Sequence, residues 1–280
     1  MILFPNSKIN LGLRITGKRT DGYHDIETVF YPIDLRDAAE LTRAGKDARQ
    51  EFELIITGLN VPGETTGNLC HKAWGLIKKD FPEIGPLRLH LLKAIPVGAG
   101  LGGGSSDGAH TLLLMNQELG LNLTDEKLIA YALNLGSDCP FFILNKPCLA
   151  EGRGEKMKEL QVDLSDHYFV LVDPEVHISS AWAFERIILN KTIPREPLSE
   201  IITRPVEAWK HNLINEFEAP VFAEYETLKI IKEELYAAGA SYASLTGTGS
   251  CVYGIFPRHS CADLRTLADQ YKMYNLKQNR

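Results

Sequence analysis

Glycine and serine are concentrated in one short stretch of the chain, residues 96–108, which reads PVGAGLGGGSSDG. Glycine permits positive φ angles and close approach of the backbone to a ligand, and serine hydroxyls can bind phosphate oxygens or Mg²⁺. Apolar residues recur at helical spacing directly afterwards, over 107–119. Because a helix N-terminus favours an anion, the stretch is predicted to be a phosphate-binding loop. A plain flexible turn is the alternative.

Three well-known classes of phosphate-binding loop do not fit this stretch well. A P-loop requires GxxxxGK[ST], and no lysine follows these glycines. The dinucleotide fingerprint GxGxxG matches at Gly98, Gly100 and Gly103, but residues 93–97 separate it from the preceding strand pattern. The acidic residue about 20 positions further on, Asp125, opens a predicted helix instead of ending a strand. The VAIK and HRD elements of protein kinases do not occur. A dinucleotide-binding oxidoreductase is therefore a competing but poorer interpretation.

The elements that would position this loop are predicted from hydrophobic periodicity. Hydrophobic patterning predicts strands over 7–15, 25–34, 38–43, 51–57, 86–92, 242–246 and 251–256, and the apolar run YFVLV predicts a buried strand over 168–172. Helical spacing and capping residues predict helices over 68–79, 107–119, 124–135, about 180–190, 199–210, 221–238 and 259–271. This order predicts an α+β chain with two domains, residues 1–160, which carry the loop, and residues 161–280.

The composition restricts the classes of function. A hydrophobic fraction of 44% and a charged fraction of 24% are typical of a globular protein with a substantial core. The net charge of −6 and the lack of a basic run are not typical of nucleic-acid binding. The five cysteines form no CxxC pair, which argues against a zinc site or a disulfide framework. Neither a signal peptide nor a membrane-length apolar run is seen, so a cytoplasmic protein without nucleic-acid or membrane partners is expected.

The loop PVGAGLGGGSS resembles the phosphate-binding motif of the GHMP kinases, named for galactokinase, homoserine, mevalonate and phosphomevalonate kinases. The opening strand with Lys8 and the turn TGTGS at 246–250 lie where that superfamily has its first and third motifs. The resemblance implies a two-lobed α+β fold, with an N-terminal lobe like domain 2 of ribosomal protein S5 and a ferredoxin-like C-terminal lobe. It also implies that the third motif packs against the loop. ATP would place its phosphates over 98–106, with Mg²⁺ bridging the β- and γ-oxygens.

Three segments resemble, more narrowly, the kinases that act on 4-diphosphocytidyl-2-C-methyl-D-erythritol. They are KINLGLRITGKRTDGYH at 8–24, LGSDCPFF at 135–142 with AEGRGE at 150–155, and SLTGTGSCVYGIF at 244–256. The resemblance implies phosphorylation of the 2-hydroxyl of that small molecule in the non-mevalonate isoprenoid route. We expect a monomer or a weak homodimer. Another GHMP kinase with a different alcohol acceptor and a non-catalytic nucleotide-binding relative are the alternatives.

Two residues match the catalytic residues of that family, Asp138 its aspartate and Lys8 its lysine. A carboxylate that accepts the proton of a sugar-alcohol hydroxyl assists a poor nucleophile. A lysine keeps such a carboxylate ionised and stabilises charge on the transferring phosphoryl group. From the residue pattern alone, Asp138 is also compatible with a helix cap or turn residue, and Lys8 with a solvated strand residue.

The substrate-binding residues follow from the same matches. Tyr23 and His24 match the cytidine-binding segment, in which an aromatic ring stacks on the base. Phe184, in HISSAWAF at 177–184, is the expected second stacking partner, with a buried core aromatic as the alternative. Asn10 is expected to contact the substrate near the catalytic lysine, and Thr248 to face the substrate.

The ATP-binding residues are expected in the loop and at two positions outside it. The loop residues are Pro96, Val97, Gly98, Ala99, Gly100, Leu101, Gly102, Gly103, Gly104, Ser105 and Ser106. Asn68 and Lys93 are expected on the adenine side. Asp107 stands where many family members carry asparagine, and it would either assist Mg²⁺ or lie just outside the phosphate shell. No protein ligand of the metal is predicted.

Overall fold

The computed structural model describes residues 1–45, 48–188 and 196–277 of the chain. These residues group into two compact units. The first unit comprises Met1–Ser7, Leu35–Val97 and Gly102–Asn145, and the second comprises Lys8–Asp34, Gly98–Leu101 and the described part of Lys146–Arg280. Both units are interrupted along the chain, whereas the domains predicted from the sequence, 1–160 and 161–280, are continuous. That division of the chain stays a prediction.

Groups of successive strands and groups of successive helices follow one another along the chain. The strands of the described residues are β1 (Ile2–Leu3), β2 (Asn6–Lys18), β3 (His24–Arg36), β4 (Ala38–Arg43), β5 (Phe52–Gly58), β6 (Leu87–Lys93), β7 (Cys148–Gly152), β8 (Lys156–Glu159), β9 (His167–Asp173), β10 (Tyr242–Leu245), β11 (Val252–Pro257) and β12 (Lys272–Lys277). The helices are α1 (Leu69–Asp80), α2 (Gly103–Leu119), α3 (Asp125–Leu135), α4 (Cys139–Leu144), α5 (Ser180–Glu185), α6 (Leu198–Ile201), α7 (Glu218–Glu224), α8 (Glu226–Ala237) and α9 (Arg265–Gln270). None of these helices is long and apolar enough to cross a membrane.

The first unit contains a four-stranded sheet in the order β1-β4-β6-β5. Strand β6 alternates buried and exposed residues along its whole length, as the period-two pattern predicted, and it pairs in parallel with β5. Helix α1 turns Cys70, Ala73 and Ile77 into the core of this unit. This spacing matches one face of an α-helix, so local periodicity and burial agree in this unit.

Helix α2 begins at Gly103, four residues before the start that the sequence predicted. Glycine and serine are poor helix formers, so the pattern placed the first turn of this helix in the loop. Packing overrides that preference, because most of the helix is buried on all sides. At Gly108 a Cβ atom would lie 2.9 Å from Leu69 Cβ, which shows how closely α1 and α2 approach.

The second unit contains a four-stranded antiparallel sheet in the order β10-β11-β9-β12. Helices α5–α8 connect β9 to β10, and α9 connects β11 to β12. This is the β-α-β-β-α-β succession of ferredoxin-like folds, so the predicted α+β class is confirmed. A second sheet of the same unit has the order β2-β3-β7-β8.

Several predictions of secondary structure were wrong. The helix predicted over 199–210 is reduced to α6 and a 3₁₀ turn at Val206–Ala208, because a proline at position 205 disfavours helical backbone in the preceding residue. The helix predicted over 221–238 is divided at Tyr225. The helix near 180–190 ends at Glu185, and residues 189–190 lie outside the described residues.

The last predicted helix, over 259–271, was also wrong in extent. Only α9 is helical there, and the following strand β12 pairs with β9. Strands β7 and β8 were not predicted either. They are short and carry charged residues and glycine, so neither shows a clear period-two pattern. Strands β7 and β12 are therefore determined by pairing with the distant strands β3 and β9, and β8 by pairing with β7.

Candidate active site

The backbone of the loop depends on alternate glycines. Gly98, Gly100 and Gly102 have φ angles of 73°, 79° and 71°. Residues with a Cβ atom rarely adopt this left-handed conformation, so the three glycines are required by the shape of the loop. The residues between them, Ala99 and Leu101, are buried. The loop is therefore a shaped backbone segment, as the phosphate-loop prediction requires.

The third motif packs directly against this loop within the second unit. A Cβ atom at Gly100 would lie 2.0 Å from the carbonyl oxygen of Thr246. The Thr246 hydroxyl donates to the Gly100 carbonyl at 3.1 Å, and the Cys251 N–H donates to the Ala99 carbonyl at 3.3 Å. The predicted contact between the third motif and the loop is thus confirmed.

Lys8 lies on β2 and is only 4% exposed, so the solvated-strand alternative is wrong. Its ammonium group donates to the side-chain oxygen of Asn10 at 2.6 Å and lies 4.9 Å from the centre of the Phe30 ring. Its backbone N–H donates to the carbonyl of Leu101 at 3.0 Å. A buried lysine is costly unless its charge has a function or a partner. The backbone hydrogen bond to Leu101 holds Lys8 beside the end of the loop.

Asn10 connects Lys8 to the third motif. Its amide nitrogen donates to the Thr28 hydroxyl at 2.9 Å, and its backbone N–H donates to the Thr246 hydroxyl at 3.2 Å. Its carbonyl accepts from the Tyr253 hydroxyl at 2.7 Å. These bonds fix the amide, so the oxygen that receives the Lys8 ammonium has a defined position. Contact between Asn10 and substrate stays a prediction.

The first turn of α2 presents unused N–H groups. The first intrahelical bond runs from the Ser106 N–H to the Gly102 carbonyl at 2.9 Å, so the preceding N–H groups have no partner inside the helix. Gly104 is exposed and Ser105 half-buried, whereas Ser106 is fully buried with its hydroxyl 3.3 Å from His110 Nδ1. The exposed part of this turn therefore suits a phosphate group better than Ser106 does.

Asp138 occupies the N-cap position of α4, close to that turn of α2 in the first unit. Burial raises the pKa of the neighbouring Cys139 thiol to about 12, and a hydrogen bond with the Ser105 hydroxyl offsets part of this rise. That bond ties the start of α4 to the start of α2. In the described chain, the Asp138 side chain makes no capping hydrogen bond. Its carboxylate is therefore at a cap position without acting as a helix cap.

Lys93 lies at the end of β6 and its ammonium group is buried between Asp37 and Asp107. This ammonium group donates to an Asp107 oxygen at 2.6 Å and to one oxygen of Asp37. The other oxygen of Asp37 accepts the backbone N–H groups of Ala94 and Ile95. Burial lowers the pKa of Lys93, but the two carboxylates outweigh it and leave that pKa raised. Nucleotide binding by Lys93 stays a prediction, and in this structure its ammonium group donates to the carboxyl groups of Asp37 and Asp107.

Asp107 is 3% exposed, and one of its oxygens has no hydrogen-bond partner among the described residues. Burial raises the pKa of Asp107 to about 8, and the Lys93 ammonium only partly opposes this. The side chain is thus turned into the interior of the first unit. Of the two roles left open for Asp107, this burial favours a position outside the phosphate shell.

Asn68 is the N-cap of α1, as its position before the helical pattern predicted. Its side-chain oxygen accepts the Cys70 N–H at 2.9 Å. The side chain therefore has a structural role at the start of the helix. Contact with adenine stays a prediction.

The residues predicted to bind cytidine come together in the second unit. The rings of His24 and Phe184 stack with centroids 4.9 Å apart and planes at 15°. Phe184 also meets Phe217 edge-on at 4.9 Å and packs against the core, so it is both a core aromatic and a half-exposed one. Tyr23 is 58% exposed. The Thr248 hydroxyl lies 3.1 Å from that of Ser180, the first residue of the helix that carries Phe184.

Some residues of the site were missed by sequence reasoning. Asp37 follows β3 directly, and nothing in its neighbourhood distinguishes it from a surface turn residue. Thr28 has a signal, because it is a polar residue that alternates in phase with the apolar Ile26 and Phe30 of the same strand. Tyr253 reads as an ordinary strand aromatic, and only the fold directs its hydroxyl to Asn10.

Models of two protein families match the chain. "GHMP kinases N terminal domain" matches residues 68–146, and "GHMP kinases C terminal" matches residues 204–268. A crystal structure of a mevalonate kinase has the same fold, with a TM-score of 0.72 and 16% identity over 98% of each chain. The fold and the loop thus define the class of GHMP kinases.

Within this class, the chain has higher sequence identity to one kind of kinase. The 4-diphosphocytidyl-2-C-methyl-D-erythritol kinase of Bacteroides fragilis is 49% identical over 91% of this chain and 92% of its own length. That of Porphyromonas gingivalis is 39% identical over 99% of each chain. A crystal structure of a 4-(cytidine 5'-diphospho)-2C-methyl-D-erythritol kinase has a TM-score of 0.83 and 28% identity, and the match covers 99% of this chain and 98% of that one. The chain belongs to the family of 4-diphosphocytidyl-2-C-methyl-D-erythritol kinases.

Proposed function

We propose that this protein transfers the γ-phosphoryl group of ATP to the 2-hydroxyl of 4-diphosphocytidyl-2-C-methyl-D-erythritol. The products are the 2-phosphate of that compound and ADP. The reaction belongs to the non-mevalonate route to isoprenoids. The observation that carries the proposal is the 49% identity, over 91% of the chain, to a kinase of that name. The buried Lys8 beside the loop and the aromatic cluster of His24 and Phe184 support it.

The loop and the first turn of α2 would bind the phosphates of ATP. Phosphoryl transfer depends mostly on positioning and on electrostatic stabilisation of the transferring group. The N–H groups of Gly103–Ser105 are unused inside the helix and lie at its positive end. They would take the place that a lysine has in P-loop enzymes. The remaining loop residues, including Pro96 and Val97, would complete this binding surface.

Asp138 and Lys8 are proposed as the catalytic residues. Asp138 would accept the proton of the attacking hydroxyl, a step for which a carboxylate is suited. Lys8 would stabilise the negative charge of the transferring phosphoryl group, from a buried position fixed by Asn10. In a site with little water, such a charge acts more strongly than in solvent.

Mg²⁺ is proposed as the cation that accompanies ATP and neutralises charge on its β- and γ-phosphates. In the part of the chain that the structure describes, no group of three or more His, Cys, Asp and Glu side chains is arranged to hold a metal. Mg²⁺ that accompanies a nucleotide is usually bound mainly through phosphate oxygens and water. No protein ligand is assigned to it.

Cytidine recognition is assigned to Tyr23, His24 and Phe184, with Thr248 facing the substrate. An exposed tyrosine ring can stack on a base, and such stacking supplies binding energy remote from the reacting hydroxyl. The protein is proposed to act in the cytoplasm as a monomer or a weak homodimer. The net charge of −6 supports a small-molecule substrate without a nucleic-acid partner.

A coupled assay of ADP release tests the proposed function. The protein is supplied with Mg-ATP and 4-diphosphocytidyl-2-C-methyl-D-erythritol, and parallel wells contain mevalonate, homoserine or galactose. ADP release only with the cytidine compound supports the proposal. Release with another acceptor would contradict the substrate and keep the class of kinase, and no release in any well would favour a non-catalytic relative.

A further inference from the structure

The segment AEGRGE, residues 150–155, has no role in the chemistry described above, yet its arginine contacts the predicted cytidine site. The guanidinium carbon of Arg153 lies 5.1 Å from the centre of the Tyr23 ring. This distance is within the range of a cation–π interaction. Both residues belong to the second unit.

The turn between β7 and β8 fixes the backbone of Arg153. The flanking glycines, Gly152 and Gly154, have φ angles of 71° and 105°. The Glu155 carboxylate accepts the Arg153 N–H at 2.5 Å, and a Cβ atom at Gly152 would lie 2.9 Å from that carboxylate. The turn is therefore closed tightly, and only glycine suits position 152.

Sheet register brings this turn to Tyr23. Strands β3 and β7 are antiparallel, and Ile26 of β3 lies opposite Gly152 of β7. The residue after Gly152 therefore lies near the start of β3 at His24, and Tyr23 directly precedes that strand. Tyr23 is itself held by its backbone, since its carbonyl accepts the Arg19 N–H at 2.9 Å and its N–H donates to an Asp21 oxygen at 3.1 Å.

Within the described ranges 1–45, 48–188 and 196–277, the Arg153 guanidinium makes no hydrogen bond and no ion pair. Its charge also reaches Asp21, whose pKa is lowered first by the Tyr23 backbone N–H and to a smaller extent by Arg19 and Arg153. Tyr23 as a whole remains 58% exposed with the cation near its ring. An aromatic ring supported on one face keeps the other face available to a flat ligand.

We propose that Arg153 is a positioning residue for cytidine binding, which holds the Tyr23 ring in the orientation that stacks on the cytosine base. The proposal rests on the proposed function, because that function supplies the base. Ordering the ring before the substrate arrives reduces the entropy lost on binding. Arg153 therefore affects the affinity for the cytidine compound. The rate of phosphoryl transfer and the affinity for ATP do not depend on it.

Steady-state kinetics with four proteins test this role. They are the wild type, Arg153→Met, Arg153→Lys and the control Lys210→Met, which removes a cation 4.3 Å from the Tyr236 ring elsewhere in the same unit. We expect Arg153→Met to raise the KM of the cytidine compound about two- to five-fold, the range typical of an exposed cation–π contact. The kcat and the KM of ATP stay unchanged. In Arg153→Lys, the KM of the cytidine compound lies closer to the wild-type value than in Arg153→Met. An unchanged KM for the cytidine compound in Arg153→Met would overturn the proposal.

A double-mutant comparison separates this role from a general effect on the fold. If Arg153 acts through the tyrosine, Arg153→Met has no further effect in a protein that already carries Tyr23→Leu. An equal additional rise in KM would overturn the proposal. Calorimetric titration with cytidine 5'-monophosphate gives a readout that does not depend on turnover. Weaker binding to Arg153→Met than to the wild type supports the proposal even if the assigned acceptor is wrong, and equal binding overturns it even if the assigned acceptor is right.

Discussion

Gly100 and Thr246 hold the backbones of the loop and the third motif in direct contact, because a Cβ atom on Gly100 would lie 2.0 Å from the Thr246 carbonyl oxygen. The Thr246 hydroxyl also accepts the backbone N–H of Asn10, whose side chain receives the Lys8 ammonium. A short series of contacts thus links the loop to the proposed catalytic lysine, and all four residues belong to the second unit.

Replacing Gly100 by alanine tests this contact. The new methyl group would meet backbone rather than a flexible side chain, at a residue with a φ angle of 79°. We expect the free energy of unfolding to fall by about 2 kcal/mol or more, with a loss of ADP release. Urea denaturation measures the first effect. Gly104→Ala is the control, because a Cβ there meets nothing within 4 Å and the residue is helical, so stability should rise by up to about 1 kcal/mol. Equal stability of the two variants would contradict this explanation.

The second prediction concerns Asp138→Asn. The substitution removes the carboxylate charge but keeps the shape of the side chain and an oxygen that can accept a hydrogen bond. We therefore expect normal ATP binding and a kcat lower by about 10²- to 10⁴-fold. Calorimetry with ATP and the ADP-release assay measure the two properties. Nearly full activity in this variant would remove Asp138 from the mechanism.

The third prediction concerns Lys8→Met, which replaces a buried ammonium group by an apolar side chain of similar length. The side-chain oxygen of Asn10 keeps a weak contact with the Thr246 hydroxyl at 3.4 Å, so the local fold should persist. We expect kcat to fall by roughly 10²- to 10³-fold, as for the loss of one preorganised donor in an active site. Lys18→Met is the matched control, since it lies on the same strand with an exposed side chain. A similar small effect of both substitutions would refute the catalytic role of Lys8.

The fourth prediction concerns the pH dependence of stability. Burial raises the pKa of Asp107 to about 8 from an ordinary value of 3.8, so the folded protein retains a proton that the unfolded chain releases. The stabilising contribution of the protonated group is complete below the ordinary pKa and is lost as the pH rises towards 8. The free energy of unfolding of the wild type should therefore fall over this range, by at most about 1.4 kcal/mol per pH unit for one proton.

Asp107→Asn is the variant that tests this explanation. Asparagine keeps a carbonyl oxygen for the Lys93 ammonium but cannot be deprotonated. We expect its stability relative to the wild type to increase as the pH rises from 5 to 8 in urea denaturation series. Parallel curves for the two proteins would show that Asp107 does not titrate in this range.

Local features of the sequence were enough for the parts of the site that lie close together in the chain. The alternate glycines of 98–102 predict a loop with a specially shaped backbone, and the structure shows positive φ angles at Gly98, Gly100 and Gly102. The cap at Asn68 and the strand at 38–43 were also predicted correctly. Each of these depends on φ preference, capping or periodicity, which act between residues a few positions apart.

The sequence by itself thus determined the class of loop, the α+β succession and, through resemblance, the kind of kinase. Only the tertiary structure decided the burial of Lys8, the pairing of Lys93 with Asp37 and Asp107, and the approach of Arg153 to Tyr23. These contacts join residues 14 to 130 positions apart. They arise because strand register and helix packing bring distant segments together, and no local preference of either partner specifies which distant residue it will meet.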